Sequence, residues 1–232
     1  MDGTLRHLVI VRHGNTFRPG ETPTRAGGRT DLPLVEKDRA RQAGRFLRAQ
    51  GYIPDRTFAA PLKRTVRTAE LILEKLNLDR EVLPAPGFAE IDYGPDENRT
   101  EDQVRLRLGR HYLEQEGLDT ASFSDERLRQ RGEEALKLWD ARGIPPHGWQ
   151  VDAKGIVANW RTFASDIEPG ETVLLVSSNG IIRFAPHLLP DSEQARFPEE
   201  YSLKVVTGGV CVFARHDGDW RCLHWNVKPA PA

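Results

Sequence analysis

The sequence predicts an α/β fold, a three-layer sandwich with a mostly parallel central sheet and helices on both faces. Three observations carry this. Residues 8–11 and 172–176 are uninterrupted apolar runs of strand length, the pattern of strands buried on both faces. The stretches between them place apolar residues at helical spacing. Polar turns rich in His, Asn, Ser and Gly follow the apolar runs directly, as at the carboxyl ends of parallel strands.

In chain order, Leu8-Val9-Ile10-Val11 is the first strand and enters the turn Arg12-His13-Gly14-Asn15-Thr16. A loop rich in Gly, Pro and Arg covers residues 17–34. Ala40, Ala43, Gly44 and Leu47 then share one helical face, and Gly51 is placed to end that helix. Phe58-Ala59-Ala60 is a short strand running into Pro61, which suits the first position of a helix striped by Leu62, Val66, Ala69, Leu73 and Leu76. A short strand near residues 81–83 precedes a polar, charged segment from Asp92 to Gly148, with helical spans near 101–116 and 124–141. Ile156, Trp160, Phe163 and Ile167 mark another amphipathic helix. The second buried strand, 172–177, ends in Ser177-Ser178-Asn179-Gly180, and residues 181–189 read as helical. Two strands joined at Asp217-Gly218 finish the chain as an edge hairpin. The organisation expected is a single domain, 1–232, in which about 93–150 is a helical insertion over the rim where the polar turns gather.

Composition narrows the function classes. The 232 residues carry 33 Lys+Arg against 34 Asp+Glu, a net charge of −1, which argues against a nucleic-acid-coating protein. With 38% hydrophobic and 29% charged residues the chain is neither a disordered polyelectrolyte nor a membrane protein, and no apolar run approaches the ~20 residues that span a bilayer. No signal peptide is visible at the start, so a soluble cytoplasmic protein is expected. The two cysteines, Cys211 and Cys222, suffice for neither a disulfide scaffold nor a zinc site. A tight turn at 217–218 sets Cys222 opposite Phe213 and Cys211 opposite His224, leaving the thiols diagonal at about 7–8 Å, and both read as small buried hydrophobes. No metalloprotease helix motif, P-loop, dinucleotide fingerprint or GxSxG is present, so no metal or cofactor is expected.

The chemistry-bearing candidates lie in the turns. His13 beside Arg12, with Gly14 permitting close approach, reads either as a nucleophilic imidazole whose neighbour holds a phosphate or as a surface loop histidine. Arg64 lies across its helix from the apolar stripe, which favours a solvated face, yet its place in the first turn suits an anion at the helix end. Glu90 is a candidate proton donor or a solvated loop acid, and Asp92 either its like-charged neighbour or one more surface acid. Arg18, Arg25, Arg29, Arg99, Arg105 and Arg107 add anion contacts or interleave with surface acids. Trp139, Trp149 and Trp160 read as anchors of the insertion on the sheet rather than as a pocket lining.

Taken together, these segments resemble the histidine phosphatase superfamily, also called phosphoglycerate mutase-like. Val9-Ile10-Val11-Arg12-His13-Gly14-Asn15-Thr16 is similar to its first signature, and Ala60-Pro61-Leu62-Lys63-Arg64-Thr65-Val66-Arg67-Thr68-Ala69 to its second. Gly28-Arg29-Thr30-Asp31-Leu32-Pro33-Leu34, the stretch Ala89-Glu90-Ile91-Asp92-Tyr93-Gly94, and residues 174–183 resemble the remaining segments in the expected order. The resemblance implies a metal-independent phosphoryl transfer on a small phosphorylated metabolite. His13 would form a phosphohistidine, Arg12 and Arg64 would neutralise phosphoryl oxygens, and Glu90 would handle the leaving-group proton. Asn15, Thr16, Arg29, Ser178 and Asn179 would bind phosphate or substrate. One departure stands out. Where the family's last motif reads Ser-His-Gly-Gly before an apolar pair and Arg, this chain reads Ser177-Ser178-Asn179-Gly180, so Ser178 takes the place of the second histidine. A phosphatase is the leading expectation. A mutase, disfavoured by the short tail after Lys228, and a binding-only pseudo-enzyme are the alternatives.

Overall fold

Apolar runs that bury both faces need neighbours on both edges, and the two found in the sequence take each other. β1 (Arg6–Arg12) and β4 (Thr172–Ser177) pair in parallel, with Leu8 opposite Val173 and Val11 opposite Val176. β2 (Arg56–Ala59) lies parallel on the far side of β4, and β3 (Val82–Pro84) parallel beside β2. β5 (Val210–Arg215) runs antiparallel to β1 and carries β6 (Trp220–Val227) on its outer edge. The sheet order is β3-β2-β4-β1-β5-β6, a mostly parallel sheet with the hairpin at one edge. The structure, a computed structural model, describes residues 5–216 and 218–230. Asp217, half of the expected turn, lies outside the described residues.

The chain divides into two compact units. The first comprises the described residues up to Pro19, Asp31–Glu90, and those from Asp152 onward; the second comprises Gly20–Thr30 and Ile91–Val151. Alternation along the strands builds the layers of the first unit. Val9, Val11, Leu174, Val176 and Ala59 share one face and pack on Ala43 and Leu47 of α1 (Asp38–Gln50) and on Ala69, Ile72 and Leu76 of α2 (Lys63–Leu76). Phe58, in register with Leu175 and Ile10, points to the other face, where its ring meets Phe163 of α5 (Ala153–Ser165) at 5.0 Å. Trp160 is fully buried there and donates its indole N–H to the Ile181 carbonyl at 3.1 Å.

Four details depart from the sequence reading. α2 begins at Lys63 with an extended Leu62 as its N-cap, so Pro61 precedes the helix instead of opening it; the Thr65 hydroxyl bonds the carbonyls of Ala60 and Leu62. Residues 181–189 form no continuous helix but a single turn, α6 (Asn179–Ile182), and a 3-10 turn (Ala185–Leu188). A further helix, α7 (Asp191–Glu200), follows, with Asp191 and Glu193 in its first turn. The β5–β6 ladder holds Cys222 opposite Phe213 as expected, but register shifts beyond that pair move His224 opposite Val212, and the Cys211 sulfur instead accepts the Asn226 N–H. Asn226 adopts a positive φ of 54° at this irregularity, and Cys222 is only half-buried.

The second unit has a core of its own. α3 (Glu101–Gln115) opens with a capping box between Thr100 and Gln103, and α4 (Asp125–Arg142) is capped by Ser124. The two cross at glycines: a Cβ on Gly109 would sit 1.8 Å from the Leu128 carbonyl oxygen, and one on Gly132 would sit 2.0 Å from that of Arg105. Trp149 packs on Tyr93 and Trp139 at 4.7 and 5.5 Å, so Trp139 and Trp149 anchor this unit internally. Asp96 is wholly buried, gripped by both arms of Arg107 at 2.5 Å and by the Trp149 indole N–H at 2.7 Å. The backbone contact at Gly109 cannot relax by turning a side chain. Gly109→Ala is therefore expected to destabilise the second unit by roughly 1–3 kcal/mol, seen as a lower urea midpoint. A midpoint equal to that of the unchanged protein would contradict the close crossing.

Candidate active site

The ends of β1, β4 and β2 lie side by side, and the hydrogen-bonded ladder runs past the strands. His13 N–H donates to the Ser177 carbonyl at 3.1 Å, and Ala60 N–H to that of Val176 at 3.0 Å. This sets the turns of residues 12–16, 61–64 and 177–180 along one edge of the sheet, as the sequence anticipated.

His13 is buried, with 7% of its surface exposed. Its Nδ1 lies 2.6 Å from the Gly14 carbonyl oxygen. A carbonyl only accepts, so Nδ1 carries the hydrogen and the neutral ring keeps its lone pair on Nε2. Burial pushes the imidazole well below the usual histidine range; the Arg12 and Arg64 guanidinium groups lower it further, against the Gly14 carbonyl, which favours protonation. The ring is thus neutral, with a fixed tautomer and two cations at hand.

Arg64 is completely buried, which overturns the solvated-face reading. Its turn is tied to the His13 loop: the Thr68 hydroxyl donates to the Arg64 carbonyl at 2.7 Å and accepts the Gly14 N–H at 3.2 Å. Glu90 is 8% exposed, and its Oε2 accepts the Gly180 N–H at 3.3 Å. The approach to Glu90 is held by Phe88, which stacks edge-on against Trp160 at 4.7 Å and accepts the Ser177 hydroxyl on its carbonyl at 2.8 Å. Ser178 is fully buried at the N-cap of α6, and its hydroxyl has no hydrogen-bond partner among the described residues. Asn179 Oδ1 accepts the Val205 N–H at 2.8 Å, so its amide hydrogens face the other way.

The segment before β5 is a site component that the sequence did not suggest. The Val205 carbonyl accepts from Arg12, Gly208 N–H donates to the carbonyls of Arg12 and His13, and the Thr207 hydroxyl donates to Asn15 Oδ1 at 2.7 Å. Thr68, four residues after Arg64 on the same helical face, was legible from spacing; residues 205–208 were not. Thr16 lies half-buried in the His13 turn. Of the additional arginines, Arg29 belongs to the second unit and pairs there with Asp92 at 2.9 Å and with the Gly94 carbonyl. Arg25 pairs with Glu101, Arg105 with Glu133 and Arg107 with Asp96. The surface-pairing reading holds for Arg25, Arg29 and Arg105, whereas Arg107 pairs with the wholly buried Asp96 inside the second unit. Among the described residues no group of three or more His, Cys, Asp or Glu side chains is arranged to hold a metal, and no helix is long and apolar enough to cross a membrane.

Comparison with known proteins gives one consistent picture. The family model described as histidine phosphatase superfamily (branch 1) matches residues 8–228. The chain is 29% identical over 214 residues to a 2,3-bisphosphoglycerate-dependent phosphoglycerate mutase of Methylobacterium radiotolerans, covering 90% of this chain and 89% of the relative. Among solved structures it resembles mycobacterial hydrolase 2, with a TM-score of 0.69 and 20% identity over 99% of this chain and 94% of the other. It also resembles phosphoglycerate mutase from Bacillus anthracis, with a TM-score of 0.66 and 19% identity over 97% and 94%.

The lowered His13 pKa has a definite sign. The imidazole stays neutral as the pH falls through 6.5, the ordinary value, so the free protein keeps an unprotonated His13 ring at mildly acid pH. The unfolded chain binds that proton first, so stability declines as pH drops below 6.5. In a ring-NMR titration His13 is expected to titrate below 6.5 and to move back toward it in Arg12→Gln. A wild-type His13 titrating at or above 6.5 contradicts the assignment.

Proposed function

Because the chain belongs to the histidine phosphatase superfamily (branch 1), we propose that it is a metal-independent phosphatase that hydrolyses a small phosphomonoester through a phosphohistidine. The observation that carries the reading is the His13 ring, buried, held by Gly14 as the Nε2-nucleophilic tautomer and flanked electrostatically by Arg12 and Arg64. Nε2 attacks phosphorus, the P–O ester bond breaks, and Glu90 protonates the departing alkoxide. Water then attacks the phosphohistidine, giving its proton to Glu90, and inorganic phosphate leaves with His13 neutral again. Arg12 and Arg64 supply the positive charge that the phosphoryl oxygens need. Asn15, Thr16, Ser178 and the Asn179 amide offer hydrogen bonds around them. Substrate choice is assigned to residues 17–34 and to the second unit.

The likeness to phosphoglycerate mutases supports a second reading, in which the phosphoryl group returns to another oxygen of the substrate. The two share the phosphohistidine and differ in product, so product analysis separates them. Acid quench with a phosphomonoester is expected to trap phosphate on the wild type and not on His13→Ala, with free phosphate accumulating only in the former. No trapped phosphate and no release across a panel of phosphomonoesters would leave a protein that only binds phosphorylated ligands.

Ser178 stands, on this reading, where relatives carry an imidazole. A hydroxyl donates one hydrogen bond and no charge. Ser178→His exchanges a neutral donor for a charged one, worth about 1–1.5 kcal/mol more, and is expected to speed phosphate release about tenfold. An unchanged rate would show that Ser178 does not occupy that catalytic position.

A further inference from the structure

The direction of each hydrogen bond behind Asn15 is set by chemistry alone. Arg39 lies on α1, where Glu36 Oε1 accepts its backbone N–H at 3.0 Å and Glu36 Oε2 holds its Nε at 3.4 Å. Nη1 of Arg39 donates to the Thr207 carbonyl at 3.1 Å and to the Thr207 hydroxyl oxygen. A guanidinium has donors and no acceptor, so Thr207 Oγ1 receives from Arg39 and its single hydrogen is left for another partner. That partner is Asn15, 2.7 Å away, and the atom receiving a hydrogen must be the amide oxygen. The amide nitrogen is thereby turned away from Thr207. Asn15 is anchored at the backbone as well, its carbonyl accepting the N–H groups of Val35 and Glu36.

We propose that Thr207, polarised by Arg39 and Glu36, is a positioning residue that locks the Asn15 amide with both nitrogen hydrogens presented to the phosphoryl oxygens beside His13. An asparagine side chain has no intrinsic preference between its two flips, and one of them would set an oxygen against the anion. The chain Glu36–Arg39–Thr207–Asn15 removes that choice before substrate arrives, which is preorganisation of a donor rather than a new contact. The proposal rests on the phosphoryl-transfer reading of the site, and in it Thr207, Arg39 and Glu36 act through Asn15 without touching the substrate.

The test combines orthovanadate binding by calorimetry with phosphatase kinetics for Thr207→Val, Thr207→Ser, Asn15→Ala and the double variant Thr207→Val/Asn15→Ala. Thermal denaturation serves as the control for folding. Thr207→Val is expected to weaken vanadate binding and lower kcat/KM roughly tenfold, while Thr207→Ser, which keeps the hydroxyl, stays near wild type. In the Asn15→Ala background, Thr207→Val is expected to add nothing, because its effect passes through the amide. Vanadate binding by Thr207→Val equal to wild type, an undiminished loss in the Asn15→Ala background, or a wild type that binds no vanadate each overturns the proposal. A wild type that binds vanadate with these dependences yet hydrolyses no phosphomonoester overturns the phosphatase reading and leaves the positioning role standing.

Discussion

The parallel pairing of β1 with β4 is the constraint on which the site depends. It is buried on both faces, and its ladder continues one bond past the strand ends through His13 N–H to the Ser177 carbonyl. That bond ties the His13 backbone to the residue before Ser178. β2 adds the Arg64 turn from the other side of β4, through Ala60 N–H to the Val176 carbonyl. Three turns distant in sequence become neighbours because their strands are neighbours, and the side chains at their ends have no freedom to separate without breaking the central ladder. The proposed function is placed at the carboxyl edge because parallel strands all present their loops there.

The electrostatics follow from dryness. Arg64 is fully buried and acts, with Arg12, on an imidazole that is itself buried. Removing guanidinium groups from water is costly, and a phosphoryl group of opposite charge offsets that cost more fully than solvent at this depth. Burial, reinforced by the same two cations, keeps His13 neutral. On the proposed reading, charge stabilisation and nucleophile activation are one arrangement, because the dry pocket and the cations that would attract a phosphate also hold the proton off the ring.

Much of this was legible in the sequence because it follows from local patterns. The two apolar runs, the α2 stripe, the helices near 101–116 and 124–141 and the Arg12–His13 turn all depend on spacing within a few turns of chain, and the structure contains each of them. What was not legible depends on long-range registry. Arg64 looked solvated because helical periodicity describes only the face packed on the sheet, yet it is completely buried. Thr207 carries no motif, and its place beside Asn15 follows from the antiparallel return of β5 along β1. The shifts in the β5–β6 ladder, which moved Cys211 away from His224, fall between Phe213 and Val212 and between Val212 and Val210, and no alternation pattern announces them. Composition marked 93–150 as different in character, but its union with residues 20–30 in one compact unit rests on pairings such as Thr24 with Thr100.

On the proposed reading, in which Ser178 takes a histidine's place, the β4–α6 turn changes the chemistry on offer rather than removing it. An imidazolium at position 178 would supply both a donor and a charge; Ser178 supplies a donor in a fully buried place, with its hydroxyl uncommitted among the described residues. Asn179 partly compensates, because Val205 occupies its oxygen and leaves its amide hydrogens on the opposite side. The donor count at this edge is therefore maintained while its charge falls by one. A phosphoryl group is bound by both, but the transition state of its transfer depends more steeply on charge, since charge builds on the departing oxygen as the bond lengthens. On the proposed phosphatase reading that balance weighs more on turnover than on affinity, and it leaves more of the charge stabilisation to Arg12 and Arg64.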